Sequence, residues 1–256
     1  MWEYSICINS DNQQIFNYLA TSVKKNIEGM GGVSTLFKDE KYSYMVVALP
    51  DETKGKAQSF LAKAITRVIC SYFKTEFLNK NLNIPIRDEM SKVAFKKALI
   101  NFDKETDFYI VSRNLSFDKN LYLESFYNFK LQKLRDKWGE LISLANENRE
   151  YLSSSESFFD LLKFLVDNID ISEDEIDIVE DEEGYRIFSG REEGSIEGLN
   201  DEGLVSSVID LSPQKINLYC RKENSATDML KRIYEKRVNL KFAKENQNSC
   251  LTFFKI

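Results

Sequence analysis

In "ALPDETKGKAQSF", residues 48–60, Gly55 and Lys56 stand between a strand-like run and a helix-like run, the order in which a phosphate-binding loop holds a nucleotide. That loop needs a glycine five positions before the second one, so that backbone N–H groups reach phosphate. It also needs Ser or Thr after the lysine, to hold magnesium. Pro50 and Ala57 occupy those positions. Proline has no N–H to offer, so the motif is rejected. "NIEGMGGV" is rich in glycine but follows a helix pattern and precedes a strand pattern, the reverse of a dinucleotide fingerprint. It reads as a turn. The acidic run from Glu173 to Glu183 has carboxylates enough for calcium, yet "EIDIV" alternates as a strand and Gly184 is misplaced for a calcium loop. A solvated hairpin is expected there.

The cations form a fuller pattern. Lys63, Arg67 and Lys74 decorate one helical stretch, beside Lys54 and Lys56, and Lys92, Lys96 and Lys97 decorate the next. Tyr72, Phe73, Phe77, Phe95 and Phe102 are interleaved with them. Nucleic-acid binding uses such cations to release counterions and aromatic faces to stack bases. Against that reading, the aromatics fall on the apolar faces, and lysine dominates over arginine, whose guanidinium makes the forked contacts. Lys231, Arg232 and Lys236 make a further basic face near the C-terminal end.

The chain has 256 residues and no histidine. That excludes Ser-His-Asp and Cys-His catalysis and every zinc site that uses histidine. Acid–base work is left to Asp, Glu, Lys, Tyr or Cys. Cys7, Cys70, Cys220 and Cys250 are scattered without a CxxC pair, as expected of reduced, intracellular thiols, and Cys250 is the candidate for an exposed one. The N-terminus lacks a basic region followed by an apolar core, and no apolar run approaches the length of a membrane span. A cytoplasmic protein with no membrane contact, no metal and no cofactor is expected. The net charge of −6 hides a segregation: residues 54–137 carry 17 Lys/Arg against 9 Asp/Glu, and 138–210 carry 4 against 21. Such blocks either attract a charged partner or face each other within one fold.

The elements that must position these groups follow from periodicity. Trp2, Tyr4, Ile6 and Ile8 alternate as a strand. Ser10 and Gln13 fit a capping box ahead of a helix carrying Ile15, Tyr18, Leu19, Val23 and Ile27 on one face, with Gly29 as its left-handed cap. "VSTLFKDEKYSYMVVALP" reads as a hairpin turning near Lys38–Lys41. From Asp51 to about Asp170 the pattern is helical. It includes a seam of Tyr127, Leu131, Leu134, Trp138, Leu141 and Ala145, and a serine-capped helix at "SSSESFFDLLKFLVDNID". "EIDIV" and "YRIFSG" flank an acidic turn, "DEGLVSSVIDL" is a short helix, and residues 210–242 run strand, helix, strand. In that last module the loop "RKENSATD" has no glycine to bring backbone onto phosphate, and Asn224 or Ser225 looks like a helix cap. A packing module is expected, its basic outer helix facing solvent or the acidic stretch 173–183. The fold class is α+β: an N-terminal β-α-β-β unit (1–50), a helical region (51–170) and a C-terminal α+β unit (171–256) with the strand-helix-strand module, as separate units or one compact domain.

In the C-terminal half, "LYLESFYNFKLQKL", "ESFFDLLKFLVDNIDISEDEIDIV", "DEGLVSSVIDLSPQKINLYC" and "TDMLKRIYEKRV" occur in this order. Together they resemble the YtxC-like family of sporulation-associated proteins from endospore-forming bacteria, over roughly residues 85–240. "FYNFKL" and "SPQKINLY" are the most distinctive pieces. Family members carry several closely spaced cysteines after the last strand, where this chain has only Cys250. The resemblance implies a cytoplasmic protein of sporulating cells and brings no catalytic residues with it. The expectation is a non-enzymatic binding or regulatory protein with a protein partner. The alternatives are polyanion or nucleic-acid binding through the basic helices of 54–137, and an enzyme using Asp, Glu or Lys in a cleft between lobes.

Overall fold

The computed structural model describes residues 1–242 apart from 84, 85, 87, 119, 151–153 and 191–194. Cys250 lies outside the described residues. The chain begins β1 (Trp2–Asn9), α1 (Gln13–Gly29), β2 (Val33–Lys38) and β3 (Tyr42–Leu49). A 3-10 turn leads into α2 (Lys54–Val68), which runs through a π-helical segment, Ile69–Phe73, into α3 (Lys74–Asn81). Next come α4 (Glu89–Asn101), α5 (Lys104–Asn114), β4 (Leu121–Tyr122) and α6 (Leu123–Ser125), which passes through a second π segment, Phe126–Lys130, before α7 (Gln132–Glu147). The remainder is α8 (Ser155–Asp167), β5 (Glu173–Glu180), β6 (Tyr185–Ser189), β7 (Ser195–Leu199), α9 (Asp201–Leu211), β8 (Pro213–Cys220), α10 (Ser225–Tyr234) and β9 (Val238–Phe242).

These elements group into two units, Met1–Ile84 with Asp103–Arg149, and Pro85–Phe102 with Glu150–Ile256. The helical stretch expected over 51–170 is therefore divided: α4 and α8 belong to the second unit, the other helices to the first. Periodicity tells which face of a helix is buried, not what it is buried against.

The first unit has a sheet in the order β2-β3-β1-β4, with β1 antiparallel to β3 and parallel to β4. One face meets α1, which in turn packs on α2, and Ile6, Ile8, Met45, Leu19, Val23, Ile27, Leu61 and Ile65 share one core, all at most 2% exposed. In α1 it is Phe16 that turns inward, whereas Tyr18 stays 40% exposed. The capping box expected at Ser10 and Gln13 does not form: Asn12 is the N-cap and the Ser10 hydroxyl has no partner. The left-handed residue after α1 is Gly31, with φ +77°, not Gly29. At Gly32 a Cβ would stand 2.8 Å from the Ala48 carbonyl oxygen, so the chain enters β2 through a step only glycine can make.

The second unit has the sheet order β7-β6-β5-β8-β9, so the two α+β ends of the chain do not share a sheet. The β8-α10-β9 module forms as expected, and β8 also lies parallel to β5. Ile176, Ile178, Ile187, Ile216 and Leu218 are buried from the sheet, with Phe95, Leu162, Val208, Leu230 and Ile233 from α4, α8, α9 and α10. Acidic and basic stretches meet within this unit: Lys215 pairs with Glu175 at 2.6 Å, Lys163 with Glu235 at 2.7 Å, and Arg237 with Asp167. Strand β7 gave no clear sequence signal. Its "SIEGL" is short, and Gly198 takes φ +66° beside a register shift. No helix among the described residues is long and apolar enough to cross a membrane.

Candidate functional site

The face of the first sheet turned away from α1 carries a chain of aromatic rings. On β3, Ser43, Met45, Val47 and Leu49 are buried, and the alternating Tyr42, Tyr44, Val46 and Ala48 are only half-buried. The register sets Phe37 and Cys7 on either side of Tyr44, with Tyr122 beside Cys7. Rings of Phe37 and Tyr44 stack with centroids 4.6 Å apart and an interplanar angle of 9°. Tyr42 meets Tyr44 edge-on at 6.1 Å and Tyr122 at 5.4 Å. Phe37 is 51% exposed, Tyr122 41%, and Val33, on the same face of β2, 67%. β2, β3 and β4 thus line this face with rings and aliphatic side chains, and β1 adds Glu3, Ser5, Cys7 and Asn9, of which Ser5 and Cys7 are buried.

The β2–β3 turn fixes this surface. Asp39 accepts the backbone N–H groups of Tyr42 at 2.6 Å and Lys41 at 2.8 Å through one carboxylate oxygen, and the Tyr44 hydroxyl at 2.8 Å through the other. Those donors, Tyr42 first, hold the Asp39 carboxyl below the usual carboxylate range. The same contact pushes the Tyr44 phenol up to about 12. A raised folded-state pKa contributes stability that is present below the ordinary 10.0 and lost as pH rises through about 12. Asp39→Asn is expected to return Tyr44 toward the ordinary tyrosine range, seen as an earlier phenolate absorbance step in a pH titration. An unchanged step would show that this contact does not set the ring.

The sequence-expected basic residues fall in different places. Lys63 and Arg67 stand one turn apart on the exposed side of α2. Lys92, Lys96 and Lys97 belong to α4 in the second unit, where Lys92 pairs with Glu89 at 3.3 Å and Lys97 with Asp210 at 2.6 Å. Lys231 is held by Glu223 at 2.9 Å, Arg232 lies 3.5 Å over the Phe159 ring, and Lys236 is exposed after α10. Of the two surroundings expected for the basic side of α10, solvent or the acidic stretch 173–183, it is solvent that Arg232 and Lys236 meet, and neither Glu223 nor Phe159 belongs to that stretch. The Glu175 carboxylate in that stretch is engaged by Lys215 and Asn217.

Lys74 is a correction. It is 1% exposed and pairs at 2.7 Å with Asp107, itself fully buried. Asp107 also accepts the Trp138 indole N–H at 3.0 Å and Lys137 at 2.9 Å, and Lys137 reaches Asp103 at 2.5 Å. Burial lowers the Lys74 pKa and Asp107 opposes that shift. Burial also works against the Lys137 ammonium, but Asp103 and Asp107 outweigh it and raise its pKa. The π segment explains the misplacement. One extra residue per turn moves each later side chain back by one angular position, so Phe73 packs inward and Lys74 swings toward α5 and α7. The cluster is a closed polar core.

In the second unit a cleft of about 400 Å³ opens beside the loop that follows β8, lined by Glu180, Asp181, Tyr185, Asp201, Glu202 and Asn224. Its polar groups hold local structure. Asp181 pairs with Arg186 at 2.5 Å, Glu180 accepts the Arg221 N–H, and Asp201 accepts the Ser225 hydroxyl. Asn224 and Thr227 form the capping box of α10, so the helix cap expected in "RKENSATD" is present. No group of three or more Asp, Glu or Cys residues among those described is placed to hold a metal ion.

The ring-lined face was missed in the sequence. The signal for it is β3, where apolar residues on both faces of a strand read as burial on both sides. No family model, curated protein or solved structure matches the chain.

Proposed function

We propose that the chain is a binding or regulatory protein of sporulating cells, and that it docks the apolar surface of a partner protein on the ring-lined face of its N-terminal sheet. The carrying observation is that face: Val33, Phe37 and Tyr122 are 67%, 51% and 41% exposed and contiguous with half-buried Tyr42 and Tyr44. Soluble proteins rarely leave such a patch uncovered unless something sits on it, and tyrosine is enriched where something does. The cellular setting is supported by the resemblance of "FYNFKL" and "SPQKINLY" to the YtxC-like family.

Nucleic acid fits this face less well. Single-strand platforms combine free ring faces with a cationic groove. Here Phe37 and Tyr44 already cover each other, and the Asp39 carboxylate at the Tyr44 hydroxyl stands with Lys41 over the Tyr42 ring. Deletion of the gene is expected to lower the yield of heat-resistant spores while vegetative growth stays normal. A full yield of normal spores from a clean deletion would overturn the reading.

A further inference from the structure

Strand β2 is an open edge of its sheet, and it lacks the devices that keep edges from pairing. It has six residues, no proline and no register shift against β3, and its one cation, Lys38, sits at the end, bonded to Gln13. By contrast, the β7 edge of the other sheet is broken by a register shift and carries Glu197. Val33, Leu36 and Phe37 on β2 are 67%, 46% and 51% exposed.

We infer that β2 pairs antiparallel with β2 of a second copy, about a two-fold axis through Thr35, to join two sheets into one of eight strands. The backbone permits it. Asp39 N–H donates to the Tyr42 carbonyl across the hairpin. Alternation from there aims the N–H and C=O groups of Val33, Thr35 and Phe37 at β3, and those of Ser34, Leu36 and Lys38 outward. With Thr35 on the axis, outward groups meet outward groups: Ser34 faces the partner's Leu36 as a hydrogen-bonded pair. On the ring-lined face, Val33 meets the partner's Phe37 and Thr35 meets the partner's Thr35. These are an aromatic–β-branched pair and a Thr–Thr pair, two of the favourable cross-strand combinations.

Charge agrees as well. Lys38 falls opposite the partner's Gly32, beside the C-terminal end of the partner's α1, where Glu28 lies in a last turn without a cation. That end carries the negative pole of the helix. Moving the axis to Leu36 would set Val33 against the partner's Asp39, an apolar side chain against a carboxylate. The pairing shares Val33 and Phe37 with the proposed docking face, and the Leu36→Lys variant below, which leaves that face intact, separates the two.

The test uses the full chain with Cys250→Ser, which leaves Cys7, Cys70 and Cys220, all buried. Light scattering at micromolar concentration should report twice the mass of one chain. Leu36→Lys, on the α1 side of the strand and off the ring-lined face, and Ser34→Pro, which removes an outward N–H, should each return the monomer with unchanged circular dichroism. Thr35→Cys should form an interchain disulfide under mild copper–phenanthroline oxidation, since facing residues of a non-hydrogen-bonded pair lie within disulfide reach, whereas Leu36→Cys should not. A monomeric parent chain, or crosslinking through Leu36→Cys in place of Thr35→Cys, overturns the inference.

Discussion

Replacing Asp107 with alanine is expected to cost the first unit about 3–5 kcal/mol, the penalty for leaving one member of a buried ion pair uncompensated. Lys74 is 1% exposed and cannot reach water, and the Trp138 indole N–H loses its acceptor in the same change. Domains of this kind are stable by about 5–15 kcal/mol in all, so the variant should unfold at much lower urea. The double variant Lys74→Met with Asp107→Leu removes both charges and should be less damaged than Asp107→Ala alone, because apolar replacement of a whole pair is often close to neutral. The sign with pH is fixed too. A lysine whose folded pKa lies below its unfolded 10.5 makes stability rise with pH through the interval between them. Removing Asp107, which holds that pKa up, widens the interval. The deficit of Asp107→Ala should therefore shrink as pH is raised toward 10. A deficit under about 1 kcal/mol, the range of exposed ion pairs, would mean the cluster is wetter than the packing shows.

The second large effect is expected where stability barely changes. Phe37→Ser with Tyr122→Ser alters two exposed side chains, and exposed substitutions usually stay within about 0.5 kcal/mol each. Thermal unfolding should accordingly be close to that of the parent. Aromatic anchors at an interface are worth about 2 kcal/mol or more apiece. The pair should lower affinity for the docked partner at least roughly 100-fold, with 1.4 kcal/mol per factor of ten. A gene carrying both changes should then fail to restore spore yield to a deletion strain. Lys63→Glu with Arg67→Glu, on the exposed side of α2, should restore it. The opposite pattern would move the function to the basic helices.

Much of the fold was legible because local patterns agreed with it. The alternation in Trp2–Ile8, the hairpin of β2 and β3, the hairpin around the acidic turn 180–184 and the β8-α10-β9 module each follow a period that only one element satisfies. A cap at Asn224 or Ser225 could be named because no nearby glycine offered the loop another role, and the structure puts it at Asn224. What escaped reading depended on contacts distant in sequence. The π segment at Ile69–Phe73 gives no sign in a 3.6-residue repeat, so Lys74 read as solvated. The ion-pair partners of Lys97 and Arg237, Asp210 and Asp167, lie 113 and 70 residues away along the chain. Tyr42, Tyr44 and Tyr122 escaped notice because aromatic residues normally signal core, and only the strand register reveals that they share a face with Phe37, which is 51% exposed.

The most direct measurement is site-specific photocrosslinking in sporulating cells, followed by titration of the crosslinked protein in purified form. A photoreactive residue at Phe37 or Tyr122 should yield the same single heterologous product, beside the crosslink between two copies that the β2 pairing gives at Phe37. The same residue at Tyr109 or Phe129, which are 62% and 80% exposed elsewhere on the unit, should not. The captured protein, expressed by itself, should bind the parent chain saturably and bind the Phe37→Ser, Tyr122→Ser chain at least roughly 100-fold more weakly. Products that form equally at all four positions, or a partner whose affinity ignores the two substitutions, would contradict the assignment of the ring-lined face as the docking surface.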